Sequence, residues 1–517
     1  MLIKLLDLIK QIQRFTSRLC PGALVALGMV DVSFKTRERK ATMSLKDLFV
    51  SLFRRKTLDS IKEQGETEHA EGHRLNRVLT ARDVFNSGVA AIIGTGIFVL
   101  TGVAAANVAG PGIIISFILA GLACAFVSFA YAELSSMIPV SGSAYTYAYA
   151  TLGEIFAWII GWDLLLEYAV GASAVASGWS AYFQSILHGL GITLPHAISV
   201  ASSHGIHSID LPAVLIVAFI NYWLIKGVKH TAKMTSVFVV VKLVVVAFFI
   251  AVGAFHINPA NYSPFLPFGW SGVMAGAGVV FFAFIGFDAV TTMSEECKDP
   301  QKDVPRGVIG SLVVCTILYV IVAAIMTGAI PFAQLGGAGE GAPMAKVLDH
   351  IGFAWASPLV SVGIIAGITS VLIVLLYGQS RIMMRMSKDG LVWPVFGKIS
   401  KRFQTPTWSI VIWGALVAFT AGCLPIAELS ELTSIGTLFA FVIVSIGVIV
   451  LRKKEPNRPR GFKSPCYPWF PALGAIMSFI LMCSLPAVTW IRFVIWMVIG
   501  LVVYFFYSRK HSRLNKP

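Results

Sequence analysis

Charge is what this sequence has least of. Only 13% of its 517 residues are Asp, Glu, Lys or Arg while 56% are apolar, so water-soluble folds lack the polar surface to cover the remainder and are excluded. The seven cysteines form no CxxC pair and most fall inside apolar runs, which argues against a disulfide framework or a zinc site. HExxH, GxSxG and paired-aspartate protease signatures are missing from the apolar segments, so no enzyme class is indicated. All ten histidines lie in the N-terminal tail, in loops or at helix ends, which disfavours a haem or an intramembrane metal. Four of them, His188, His196, His204 and His207, cluster around one loop and read as solvated polarity. No cofactor and no metal are therefore expected. A cleavable signal peptide is lacking too, because the short apolar stretch 19–30 contains Pro21 and Gly22 and is followed by basic residues.

What is present is a series of uncharged apolar runs. A helix of about 20 residues rises ~30 Å, the thickness of a hydrocarbon core, so the chain reads as an all-α polytopic membrane protein with the lipid bilayer as its solvent. Twelve spans are predicted near residues 83–105, 111–134, 143–187, 211–225, 234–255, 272–294, 306–330, 354–385, 407–423, 428–451, 468–486 and 488–508. The net charge of +15 is not a nucleic-acid signal, since the basic residues sit in short clusters between apolar runs with no aromatic platform. Placing the N-terminus in the cytoplasm puts 38 of the 41 Lys and Arg inside, leaves only Lys346 and Arg492 outside and buries Lys242 in a span. Positive charge is retained on the cytoplasmic side, so both termini are expected there, in a cell membrane.

Residues 1–82 form a polar tail with two distinct parts. Over 1–18, Leu2, Leu5, Leu6, Ile9 and Ile12 recur at helical spacing opposite Lys4, Lys10 and Arg14, which suits a helix lying in the headgroup region. The alternative is that translation starts at Met43 and residues 1–42 are upstream sequence. The remaining divisions are a first half over 83–255, a second over 272–451, two further spans over 468–508 and a tail over 509–517. Five spans in each half force the second to enter the membrane from the opposite side, so the halves are expected to be inverted repeats.

The first span reads AAIIGTGIFVLTG and the sixth VVFFAFIGFDAVTT, so an Ile-Gly pair recurs at Ile93-Gly94 and Ile285-Gly286 in the first helix of each half. Each glycine lowers the penalty for leaving helical geometry by about 1 kcal/mol relative to alanine. Alone, GTG also suits close helix packing. Its recurrence at matching positions points instead to two interrupted helices, which survive at mid-membrane only where they line a cavity. An interrupted helix exposes amides on one side of the gap and carbonyls on the other, complementary to an amino acid's carboxylate and ammonium. Thr95, Gly96 and Ile97 would receive the carboxylate; carbonyls near Ile92, Phe281, Ala283 and Ile285 would receive the ammonium, with Ile93, Gly94 and Phe284 completing the segments.

With these segments, the motifs YAELSSMIPVSGSAYTYAY, GWDLLLEY, EECKDPQKDVPRG, YGQSRIMMRMSKDG and SIGTLFAFVIVSIGVIVLR make the sequence resemble the amino acid-polyamine-organocation superfamily, specifically the bacterial relatives of cationic amino acid transporters. The resemblance covers roughly residues 74–511 and leaves 1–42 without a counterpart. One departure is Met383-Met384-Arg385-Met386, where relatives often carry an aromatic. The resemblance implies a five-plus-five inverted-repeat fold and alternating access, with either proton-coupled uptake or exchange of amino acids.

Four of the charges inside the spans are candidates for function. Lys242 lies nine residues beyond Lys233, roughly 13 Å along a helix, so its ammonium is expected at depth, unless a tilted helix makes it an interfacial anchor. By the resemblance, it occupies the place where sodium-coupled relatives hold an ion between the first, fifth and eighth helices, and a coupling role with protons follows. Asp163 and Glu167 share one face of the third span. Glu167 is a candidate partner for a cationic substrate side chain, or else a protonated carboxyl bonded to a neighbouring helix. Asp288, just after the second Ile-Gly pair, reads as a cap for unwound backbone before a proton relay. A channel is disfavoured because the spans show interruptions and not polar stripes; a small membrane partner subunit is left open.

Overall fold

The computed structural model describes residues 52–56, 79–138, 143–201, 208–226, 231–336, 342–400, 403 and 405–515. Contacts separate Met1–Phe49 from Val50–Pro517, and the expectations placed on 1–42, the interfacial helix included, lie outside the described residues. Among the described residues every regular element is helical, with one isolated bridge between Leu79 and Cys297.

The principal helices are α1 (Ala81–Ile92), α2 (Ile113–Met137), α3 (Ser143–Thr151), α4 (Glu154–Gly189), α5 (Leu211–Lys226), α6 (Thr231–Gly253), α7 (Gly269–Val280), α8 (Pro300–Ala329), α9 (Pro343–His350), α10 (Ser357–Lys388), α11 (Thr407–Cys423), α12 (Ile426–Lys454), α13 (Trp469–Cys483) and α14 (Ala487–Val503). Among the described residues eight helical stretches are long and apolar enough to cross a membrane, and α5, α11 and α13 are shorter apolar helices. The chain is thus a polytopic, all-helical membrane protein. Its outer helices show lipid-facing stripes: Val237, Val240 and Val244 on α6 and Ile491, Ile495, Val498 and Val502 on α14 are exposed at helical spacing, as hydrocarbon solvent permits. At the centre, α4 packs against α10, α12, α11 and α5, while α8 packs against both α1 and α2.

Two boundaries differ from the sequence reading. The span expected in one piece over 143–187 is two helices, because the chain turns at Gly153 with φ +119°. A side chain there would be strained and would meet the backbone of Phe53, with the carbonyl oxygen 2.8 Å from its Cβ. The span expected from 306 begins instead at Pro300, inside what reads as a polar loop. Pro300 opens the first turn, where its missing N–H is harmless, and the Asp303 carboxylate accepts the Asp299 N–H at 3.1 Å.

A buried ionic knot joins α2 to the connection after α12. Glu133 accepts from Arg452 Nε at 2.8 Å and Nη2 at 2.5 Å, from Arg460 Nε at 3.2 Å and from the Ser464 N–H at 2.9 Å. Removing one partner of such a group strands the others, so Glu133→Gln is expected to lower stability by about 3 kcal/mol. Thermal unfolding of purified protein in detergent measures this, and an unchanged midpoint would show the knot to be dispensable.

Candidate functional site

Both Ile-Gly pairs are interruptions. α1 ends at Ile92; Ile93 turns to φ −73°, ψ 101°, and helical geometry resumes at Thr95 and continues as a π-helical turn over Gly96–Leu100. α7 tightens into a 3-10 turn over Phe281–Phe284, Ile285 is extended at ψ 138°, and Gly286 takes φ +112°, which only glycine adopts freely, before a 3-10 segment resumes over Ala289–Glu296. The N–H groups of Thr95, Gly96 and Ile97 thereby open a new segment, the position where amides have no preceding turn to receive them.

The two interruptions lie against each other. A Cβ on Gly96 would collide with the main chain of Ala283, and one on Gly286 would sit 2.9 Å from Ala91 Cβ and 3.0 Å from its carbonyl oxygen. Gly94 faces Val371 of α10 at 2.9 Å, and Thr95 fills the space that Gly178 of α4 leaves by having no side chain. Around them Ile97, Phe281 and Phe284 are fully buried and Ile285 is nearly so. Phe281 meets the Phe441 ring edge-on at 5.6 Å, and Phe284 meets Tyr319 at 5.2 Å.

Two polar side chains satisfy the freed carbonyls. Lys242 of α6 is completely buried, and its ammonium donates to Ala90 O at 2.7 Å, Ile93 O at 2.9 Å and Ser370 Oγ of α10 at 3.4 Å, three donors matched by three acceptors. Gly367 makes room for its stem, since a Cβ there would stand 2.9 Å from Lys242 Cβ. The ammonium turns inward onto the first interruption, so the interfacial-anchor alternative does not describe it. The second is Tyr319 of α8, whose hydroxyl lies 2.7 Å from both Ile92 O and Ala283 O and, having one proton, donates to one at a time. Two of the carbonyls expected to meet an ammonium are therefore bridged by a side chain that sequence reasoning passed over. The available signal was a lone tyrosine inside the apolar run SLVVCTILYVIVAAIM, where a hydroxyl must find an acceptor.

The acids are buried beside this centre. Asp163 touches α12 at Gly436, with Oδ1 2.8 Å from where a Cβ would stand, and neither of its oxygens has a hydrogen-bond partner among the described residues. Glu167 leaves Oε2 unpartnered and lies beside Thr437. The Asp288 carboxyl sits against the main chain of Gly286 and Ala289, while its carbonyl accepts from the Thr291 hydroxyl at 2.6 Å. Neither carboxyl oxygen makes a hydrogen bond among the described residues, so the expected capping of the unwound backbone has no side-chain bond behind it. No group of His, Cys, Asp and Glu able to hold a metal ion occurs among the described residues.

Such an arrangement can hold a small zwitterion without covalent chemistry. Gly96→Ala should force the two segments apart and reduce uptake at least about tenfold at equal surface abundance, since backbone and not a flexible side chain stands in the way. Uptake near the parental level would separate this contact from function.

Comparison with known proteins gives a concordant result. The family model described as amino acid permease matches residues 79–516. A branched-chain amino acid permease of Bacillus subtilis (strain 168) is 49% identical over 469 residues, covering 90% of this chain and 99% of the relative. A methylthioribose transporter of the same organism is 46% identical, covering 90% of this chain and all of the relative at 100%. A vacuolar cationic amino acid transporter of Arabidopsis thaliana is 30% identical over 90% of this chain and 96% of its own length.

Proposed function

The chain belongs to the amino acid permease family of the amino acid-polyamine-organocation superfamily, a family of transporters and not enzymes, and from that premise we propose that it imports L-amino acids across the cell membrane by alternating access, coupled to protons. The observation that carries this reading is the pair of facing interruptions, with amides of Thr95, Gly96 and Ile97 on one side and carbonyls around Ile285 on the other. In this reading, the twelve helical spans form two inverted halves over 83–255 and 272–451, followed by two appended spans, with both termini in the cytoplasm. The described terminal segments are in contact, as Arg54 Nη1 donates to Leu514 O at 2.7 Å, which suits an even number of crossings.

Lys242 is the proposed coupling residue. Its ammonium clamps the end of α1; loss of its proton leaves two N–H groups for three acceptors and removes the charge that strengthens the bonds to Ala90 and Ile93, which loosens that end, so proton release and helix movement become one event. A potential of 100 mV acting on one coupled charge supplies about 2.3 kcal/mol, enough for roughly fifty-fold accumulation.

Branched and small neutral side chains are the first reading of the substrate, because Ile97, Phe281, Phe284 and Ile285 bring no charge to the interruptions and the relative at 49% identity carries a branched-chain name. Cationic side chains are the second, resting on the unpartnered Oε2 of Glu167.

Reconstitution in liposomes tests the proposal. Leucine, alanine and arginine uptake are measured with and without an inward proton gradient, and the gradient should raise accumulation of at least one of them. Indifference to the gradient, with uptake stimulated by internal amino acid, would replace symport by exchange. Lys242→Met should lose gradient-driven accumulation about fifty-fold while retaining substrate binding; accumulation at the parental level refutes its coupling role. Glu167→Gln should weaken arginine uptake more than leucine uptake by about tenfold if the cationic reading is right, the value of one charge-assisted hydrogen bond, and equal effects make Glu167 structural.

A further inference from the structure

Two buried carboxylates outside the transport site, Asp389 and Glu154, tie both described terminal segments to one end of the bundle. Asp389, just past α10, receives Lys56 Nζ at 2.6 Å on one oxygen and the Tyr145 hydroxyl at 2.7 Å on the other, and both members of the ion pair are only 5% exposed. Glu154, the first residue of α4, accepts from the hydroxyls of Tyr149 at 3.1 Å, Tyr504 at 3.1 Å and Ser512 at 2.7 Å. Its N–H donates to Arg54 O at 2.8 Å, and the Arg513 N–H donates to Asp389 O at 3.1 Å. The ring of Phe53 lies 6.2 Å from that of Phe156, and the open face of Gly153 admits the backbone between them.

The short helix α3 connects this knot to the site. Every one of its residues is buried. Tyr145 and Tyr149 point to Asp389 and Glu154, while at its start Ser143 Oγ donates to Asp288 O at 3.4 Å, two residues past Gly286. A displacement at the second interruption therefore reaches Lys56 through the first turn of a buried helix, from Ser143 to Tyr145 and on to Asp389.

Resting on the proposed transport and orientation, we infer that residues 52–56 are a latch that closes the cytoplasmic end of the path, and that Lys56 must leave Asp389 before substrate is released there. The energetics suit a device that opens in every cycle. Desolvation of a buried ion pair roughly offsets its attraction, so the pair specifies a geometry while adding little net stability. Burial pulls the Lys56 ammonium down from the ordinary lysine value and Asp389 acts against it, the balance expected of such a pair. Neutralising one partner removes the opposite charge that offsets the other's burial, which favours the open arrangement.

The test labels a cysteine placed at Thr146, a residue of α3 that is 4% exposed, in full-length protein with its native cysteines replaced by serine, using a membrane-impermeant maleimide on inverted vesicles. Lys56→Gln and Asp389→Asn should each speed labelling about tenfold, and the exchanged pair Lys56→Asp with Asp389→Lys should bring it back to within about twofold of the parent. Equal labelling in all variants, or singles that label fast with no recovery in the exchanged pair, overturns the latch. Labelling needs no substrate, so the latch can fail while the transport reading stands, and the reverse. As a second arm, Lys56→Cys and Asp389→Cys joined by a bismaleimide should block leucine efflux while external leucine still binds; unimpeded efflux from cross-linked protein also overturns it.

Discussion

Hydrocarbon cannot hydrogen-bond, and every other feature of this molecule answers to that. A helix that stops inside a bilayer exposes carbonyls and amides whose burial without partners costs several kcal/mol each, so an interruption is stable only if side chains or a ligand satisfy them. Here Lys242 and Tyr319 do so for the carbonyls at Ala90, Ile92, Ile93 and Ala283. The amide side is left to Thr95, Gly96 and Ile97. On the proposed reading this asymmetry would make the centre a receptor: side chains of the protein hold the carbonyls in place, and a substrate carboxylate would meet the amides.

Closeness of approach is the second constraint. Tyr319 bridges both interruptions only because Gly96 lets Ala283 in and Gly286 lets Ala91 in, and Thr95 is held in register because Gly178 offers no side chain. Small residues do here what they do at membrane helix interfaces generally, where association rests on packing and polar contacts and lipid tails give no hydrophobic drive. The same argument applies to Lys242, whose stem fits against Gly367.

Much of this was legible in the sequence, for reasons that have physical limits. Interruptions were readable because a chemical oddity, Ile-Gly in an apolar run, occurred twice at matching positions. Lys242 was readable because a cation at depth is expensive enough to be rare. Tyr319 was not, because tyrosine is common in membrane helices and only its geometry distinguishes a bridge from an interfacial ring. The start of α8 at Pro300 was hidden by polar residues that belong to a helix extending past the hydrocarbon, since hydropathy measures the solvent and not the helix. The turn at Gly153 was hidden for the opposite reason: its flanks, YAYATLGEIFAW, are apolar enough to read as one continuous run, and what decides the turn is a contact with Phe53, a hundred residues away in sequence.

That distant contact bears on how the centre communicates with the membrane surface. Alternating access requires that opening on one side be incompatible with opening on the other, and incompatibility needs a stiff connection between the substrate and the barrier. α3 has the required properties: it is short, wholly buried, and hydrogen-bonded at its first residue to the backbone just past Gly286 and, from Tyr145 and Tyr149, to carboxylates that hold the described terminal segments. On the proposed reading, a substrate that draws the Ile285–Asp288 turn toward its ammonium would pull on Ser143 and, two residues on, disturb Tyr145 and Asp389, so that binding energy at mid-membrane would be spent on contacts near the surface. Lys242 contacts α1 and this connection contacts the 285–288 turn, so the two interruptions have separate lines of contact that meet where Tyr319 bridges them and where Gly96 and Gly286 let them touch.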